Sequence, residues 1–469
     1  MKFKSALALS LLALANPTPA AYAAHTVIDA LKPVMAGCPA RVWPNYTWQD
    51  FYVMEVAADN TATLLAGKSG KIIELSEAQV PGPAKLSPYA FFKVEGGSGM
   101  SVNQSIYEAQ LREANGPSEE SMFTSVVALA AHEAFHHVGQ KKWVGKSGVR
   151  GTELPILAKP RLYRRALLQR MMQAFQDPSA RELKLGQAKF WFDKWRNEFP
   201  REYLNSMDLS EGTAEYAGLI TTALARLGCG ATEIELRAEL LAVVNGEAGN
   251  IAPRIFDEPK VGHEFALDNE GYSTGALAGF LLRFDLPPSQ WEITAAAGTS
   301  PLELLFRGVS ARADELDPTY EGKLTIRESE EQAKTTKLLA PAVDNLSDPK
   351  AVIVAMPSAW ATEGTYSPSG FYYDPAKALQ FIPLALPISF ANAAAHAEIT
   401  AAAKAVMVDG LNNSPCAAKV GYWHTLVPAK ALVKIAGGFE IKDPYLQGRM
   451  LGKLKRGPDG RRWLCGATE

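Results

Sequence analysis

Positions 132–136 read His132-Glu133-Ala134-Phe135-His136, an H-E-x-x-H pattern inside the apolar stretch LAAHEAFHHVGQ. The chain holds seven histidines, and three of them crowd into this stretch. On a helix, residues four apart lie one above the other on the same face. His132 and His136 can then grip one metal ion while Glu133 reaches a water beside it. Zinc suits two neutral imidazole nitrogens plus a carboxylate and leaves a fourth position open. Water on such an ion ionises near a pH of about 7. The chemistry on offer is therefore hydrolysis, with Glu133 as general base. The bland alternative is a surface helix with solvated histidines. The apolar company of the pair argues against it, because buried imidazoles need partners.

A third ligand must come from elsewhere. In SEGTAEYAG, Glu211 and Glu215 stand four apart, on one face of an otherwise apolar segment. Buried carboxylates demand a charge partner, which a metal cation supplies. Gly212, directly after Glu211, lets another helix approach closely. Glu211 taken alone could be an ordinary solvated glutamate. Its neighbours Ala214, Ala217, Leu219 and Ile220 favour a buried setting.

HEAFH followed by EGTAEY resembles the gluzincin class of zinc metallopeptidases. The resemblance implies a zincin-like catalytic unit with Zn2+ held by His132, His136 and Glu211, and Glu133 as the base. It implies that Glu215 bonds a ligand histidine and fixes its orientation and tautomer. The reverse assignment, with Glu215 as the ligand, stays open. Downstream, GYSTGALAGFLL resembles the Y-x-x-G-A stretch of aminopeptidase-type gluzincins. That implies Tyr272 as a donor to the oxyanion of the tetrahedral intermediate; a core tyrosine at a helix start is the alternative. His263 and His424 are weaker candidates for the same task. The resemblance covers roughly 118–285, with two departures. About 75 residues separate His136 from Glu211, and no G-x-M-E-N exopeptidase sequence occurs, so aminopeptidase specificity is not implied.

These residues need helices to hold them. PSEESMFTSVVALAAHEAFHHVG opens on Pro117, Ser118 and two glutamates, which suit a helix N-terminus. Met122, Val126, Leu129 and Ala130 recur at helical spacing, and Gly139, Lys141 and Lys142 mark the far end. His137 points about 100° away from His136, towards a cleft rim. Residues 160–176 and 179–199 read as two amphipathic helices parted by Asp177-Pro178, an ordered insertion between the ligands. MDLSEGTAEYAGLITTALARLGCG reads as a helix ending at Gly228. Residues 272–284 make a short apolar helix, and Leu302 to Lys337 is helical in part, with a charged face.

Residues 40–105 look strand-rich: YAFFKVE, GGSG and MSVNQSI read as strand, turn, strand. GMSVNQ reads as a plain sheet strand; the alternative is an edge strand beside the cleft, where an extended peptide could add. After about 345, short apolar runs such as KAVIVAMP and LQFIPLALPISF mark a β-rich part, with AAAHAEITAAAKAV at 393–406 read as a helix within it. The basic residues around RGPDGR read as a solvated hairpin.

Composition sets the outer bounds. The 469 residues are 47% hydrophobic with a net charge of −2, enough for a sizeable core in two or three domains. No basic surface suggests nucleic acid as a main partner. MKFKSALALSLLALANPTPAAYAAH reads as a secretory signal peptide ending in Ala21-Tyr22-Ala23, so the protein is expected in the periplasm or outside the cell. No later stretch is expected to span a membrane. Four cysteines permit two disulfides in an oxidising compartment. Cys416 with Cys465 is preferred because they bracket one terminal segment, leaving Cys38 with Cys229; all three pairings remain open.

The expected fold class is α+β. A signal peptide at 1–23 precedes an N-terminal β-rich part at 24–117, a mainly helical zincin-like catalytic unit at 118–345 and a small β-rich C-terminal domain at 346–469. The expected function is hydrolysis of a peptide or protein substrate by an exported zinc-dependent peptidase. Its rivals are a zinc-binding scaffold without catalysis and a hydrolase of a non-peptide amide, as in cell-wall material.

Overall fold

A computed structural model describes residues 26–466 apart from 49–50, 68, 95–96, 108, 110–118, 144–150, 205–206, 246–266, 285–289, 317, 364–367, 394–395, 412–413 and 417–420. The expected leader at 1–23 and His263 lie outside the described residues. The fold class is α+β, with a helical middle between β-rich N- and C-terminal parts.

The chain enters through helix α1 (Val27–Gly37), where the Thr26 hydroxyl accepts a hydrogen bond from the Asp29 amide at 3.0 Å. Strands β1 (Phe51–Val56), β2 (Ala62–Ala66), β3 (Ile72–Leu75), β4 (Tyr89–Val94) and β5 (Gly97–Asn103) form one sheet in the order β3-β2-β1-β5-β4. Only the β1–β5 pairing in it is parallel. The strand over GMSVNQ is thus a plain interior strand rather than the edge of the alternative reading; β4 holds the edge next to it. The polar residues of β5, Ser101 and Asn103, are both buried. The Ser101 hydroxyl donates to Ala90 O at 3.1 Å and the Asn103 amide to Lys85 O at 3.3 Å.

Helices α2 (Glu119–His137), α3 (Ala158–Gln176), α4 (Arg181–Glu198), α5 (Ser210–Leu227), α6 (Glu233–Asn245) and α7 (Leu267–Arg283) build the middle of the chain. Helix α5 is central: α1, α2, α6 and α7 all pack on it. Apolar and small residues run all round it, as burial on every side requires. Its positive-φ cap Gly228 ends it where expected. Helices α3 and α4 pair as a hairpin, so the insertion between the ligands is an ordered unit lying against α7 through α3. One apolar core runs from Val27 to Leu316 through these elements and the inner face of the first sheet.

Helix α8 (Pro318–Ser347) joins this body to the C-terminal strands. It packs on α3, and its Asn345 amide donates to Leu426 O at 3.1 Å. The C-terminal part holds strands from Val352 to Cys465 around two further cores. Strand β6 (Thr152–Glu153), from the middle of the chain, pairs in parallel with Tyr372–Tyr373, so the two parts share a sheet. The region read as a helix at 393–406 is instead a strand, Ala397–Ala401, with Ala397, Ile399 and Ala401 buried and Glu398 and Thr400 outward. Pairing on both sides, with Ile388–Asn392 and Leu446–Leu451, overrides the helical preference of its alanines. The turn at 457–460 does close a hairpin between Leu454–Arg456 and Arg462–Cys465.

Disulfides link Cys38 to Cys229 and Cys416 to Cys465. The first ties the end of α1 to the turn after α5. Among the described residues, no helix is long and apolar enough to cross a membrane.

Candidate metal centre

Three helices must meet closely for side chains this short to converge, and glycines allow it. A Cβ on Gly212 would lie 2.4 Å from Gly275 Cα and 2.7 Å from Gly271 O, so α5 and α7 touch backbone to backbone. A Cβ on Gly218 would lie 2.8 Å from Ala128 O, which draws α2 onto the same helix. Glu211 sits in the first turn of α5, where a negative charge suits the helix dipole.

His132 Nε2 and His136 Nε2 lie 3.0 Å apart. Glu211 Oε2 lies 3.3 Å from the first and 3.2 Å from the second. The three donor atoms thus form a nearly equilateral triangle. His132 and Glu211 are buried, and His136 reaches the surface in part.

The other face of each ring is also occupied. His132 Nδ1 lies 3.2 Å from Glu215 Oε2. His136 Nδ1 lies 2.8 Å from Gln140 Oε1. The Gln140 amide nitrogen donates to Ser210 O at 2.6 Å and to Thr213 Oγ1 at 2.8 Å, which turns its oxygen towards the ring. Each Nδ1 is thus placed to donate to its own partner, which leaves each Nε2 turned towards Glu211 and any cation held there.

Such a triangle repels itself unless something positive sits in it. Burial disfavours charge on His132, but the bonds to Glu211 and then Glu215 outweigh burial and push its pKa up to about 10. The cluster asks for a cation, either a proton or a metal ion. The donor set fits zinc: a tetrahedral ion with bonds of about 2.0–2.1 Å spreads its ligand atoms about 3.3 Å apart.

Glu133, on the same helix, is half-buried and lies outside the three-residue cluster. Tyr272 stacks on His132, with ring centroids 5.3 Å apart and planes 8° from parallel. His137 points away and is exposed; its ring lies 4.5 Å from that of Phe91 on edge strand β4. His424 lies on a C-terminal strand, edge-on to Trp463, where burial holds its pKa below the usual value. It takes no part in the cluster. Gln140 went unnoticed in the sequence, although it stands four residues after His136, in the turn that follows α2.

Compared with known proteins, the chain matches no family model, no curated protein and no solved structure.

Proposed function

We propose that the protein is an exported zinc-dependent peptidase. One observation carries the reading: both Nε2 atoms and a Glu211 oxygen converge within 3.3 Å while each Nδ1 is held by its own partner. His132, His136 and Glu211 would hold the ion, and Glu215 and Gln140 would orient the rings. A bound zinc ion would supply Lewis acidity, lowering the pKa of water towards about 7 and polarising a carbonyl. Glu133 would take the proton from the attacking water and return it to the leaving amine. Tyr272, stacked on His132, is the candidate donor to the developing oxyanion. Strand β4, beside His137, offers its outer edge to an extended polypeptide. The two disulfides suit an oxidising compartment, in line with the leader-like N-terminus.

The test is metal analysis of the purified protein together with digestion of a peptide library, wild type beside Glu133→Gln. About one zinc per chain in both proteins, with cleavage lost in the variant, supports the reading. Full cleavage by Glu133→Gln removes that residue as base; absence of metal removes the zinc reading altogether.

A further inference from the structure

Helix α3 buries three arginines in one turn: Arg161, Arg164 and Arg165. Facing them are the buried carboxyl groups of Glu202, Asp208, Glu270 and Glu328. Burying ions on this scale is costly, and hydrophobic residues of similar volume often do as well for stability. Nothing in this network ligates the candidate metal, so its placement calls for another explanation.

Arg164 is the node. It has no exposed surface and stacks on Trp195 at 4.5 Å. Its two terminal nitrogens donate to the two oxygens of Asp208 at 2.6 and 3.2 Å. Its Nε donates to Glu270 Oε2 at 2.9 Å, and Nη2 also reaches Thr274 Oγ1 at 3.0 Å. Arg161 reinforces the arrangement, donating to Glu270 Oε2 at 2.5 Å and pairing with Glu202. The partners come from two segments. Asp208 stands three residues before Glu211, while Glu270 and Thr274 straddle Tyr272. These segments touch directly: a Cβ on Gly275 would lie 2.2 Å from Asp208 O.

We infer that Arg164 is a positioning residue of the metal centre, bridging Asp208 to Glu270 and Thr274 so that Glu211 and Tyr272 are held in register over His132. The rigid guanidinium fork suits this, because it fixes direction as well as distance. The assignment rests on the zinc reading for its purpose, though not for its geometry.

The test compares Arg164→Met and the milder Thr274→Val with Arg170→Met. Arg170 lies on the same helix and pairs with Asp314, away from both segments. Two quantities are read: cobalt(II) binding, by affinity and visible band shape, and amide exchange of the metal-free proteins at 208–214 and 271–275. Arg164→Met should lose about 10–100-fold in cobalt affinity, the range seen when outer partners of ligands are removed. It should also shift the bands and exchange faster in both segments. Thr274→Val should do the same more weakly, which keeps the test open if Arg164→Met does not fold. Arg170→Met should lose thermal stability without either change. Wild-type exchange in a folded Arg164→Met, or equal changes in Arg170→Met, overturns the assignment. Should the wild type take up no cobalt, the zinc reading fails, and exchange alone decides the bridge.

Discussion

His132 presents its Nδ1 to Glu215 at 3.2 Å while its Nε2 faces Glu211 at 3.3 Å, so one imidazole is gripped by two carboxylates of the same helix. The two glutamates are one turn apart on α5, which is why a single ring can reach both. Only one of them shares its approach with His136. Glu215→Ala should therefore weaken zinc binding by about 10–100-fold, whereas Glu211→Ala should abolish it. Competition against a calibrated chelator checks both. The opposite ranking would make Glu215 the ligand.

Gln140 does for His136 what Glu215 does for His132, with an amide in place of a charge. It is fully buried, and its side-chain amide bonds inward to His136, Ser210 and Thr213. Gln140→Leu would remove the amide's hydrogen bonds to Ser210 O and Thr213 Oγ1, a cost of about 0.5–1.5 kcal/mol each. It would also free the His136 ring to exchange tautomers. Histidine nitrogen-15 shifts of the metal-free protein should show a single His136 tautomer in wild type and a mixture in the variant. Wild-type shifts in Gln140→Leu would show that another contact orients the ring.

The backbone contact at Gly212 makes a sharper demand. A methyl there meets main chain on α7, which cannot swing aside as a side chain can. Gly212→Ala should cost at least the about 1–3 kcal/mol typical of overpacking, and should lower metal affinity by displacing Glu211. Gly322 provides the contrast. It is exposed on α8, and a methyl there would meet nothing within 4 Å, so Gly322→Ala should gain about 0.5–1 kcal/mol. Urea unfolding of the two variants beside wild type measures both effects.

The candidate site was legible where its logic is local. HEAFH and EGTAEY each obey helical spacing within a few residues, and the glycine beside Glu211 announced a close helix contact that the structure contains. Legibility ended where burial depends on distant partners. Periodicity marks 160–176 as an amphipathic helix but does not tell that Arg161, Arg164 and Arg165 are buried. Their carboxylates arrive from Asp208 and Glu270, far along the chain. Strands suffered likewise. Alternation alone does not tell an interior strand from an edge: the acceptors of Ser101 and Asn103, Ala90 O and Lys85 O, belong to neighbouring segments. Alanine-rich 393–406 looked helical because propensity is local and sheet pairing is not.

Glu55 gives the fold a pH dependence separate from the metal centre. It lies on β1, and its carboxyl accepts from the backbone amides of Ile28 and Val27 at the start of α1. Burial raises its pKa from 4.5 to about 7, and the two amide bonds only partly oppose the rise. For a carboxyl group raised on folding, the native state holds a proton that the unfolded chain has already released. Stability from this group is therefore full below a pH of about 4.5, falls as the pH climbs towards about 7, and levels off above it. The total loss is on the order of 3 kcal/mol. Glu55→Gln keeps an oxygen acceptor for the amides and removes the ionisation. It should match wild type near the acid end of the window and exceed it in stability at pH above about 7. Urea unfolding of both proteins across this range measures the difference, and a constant difference at every pH would show that Glu55 titrates alike in both states.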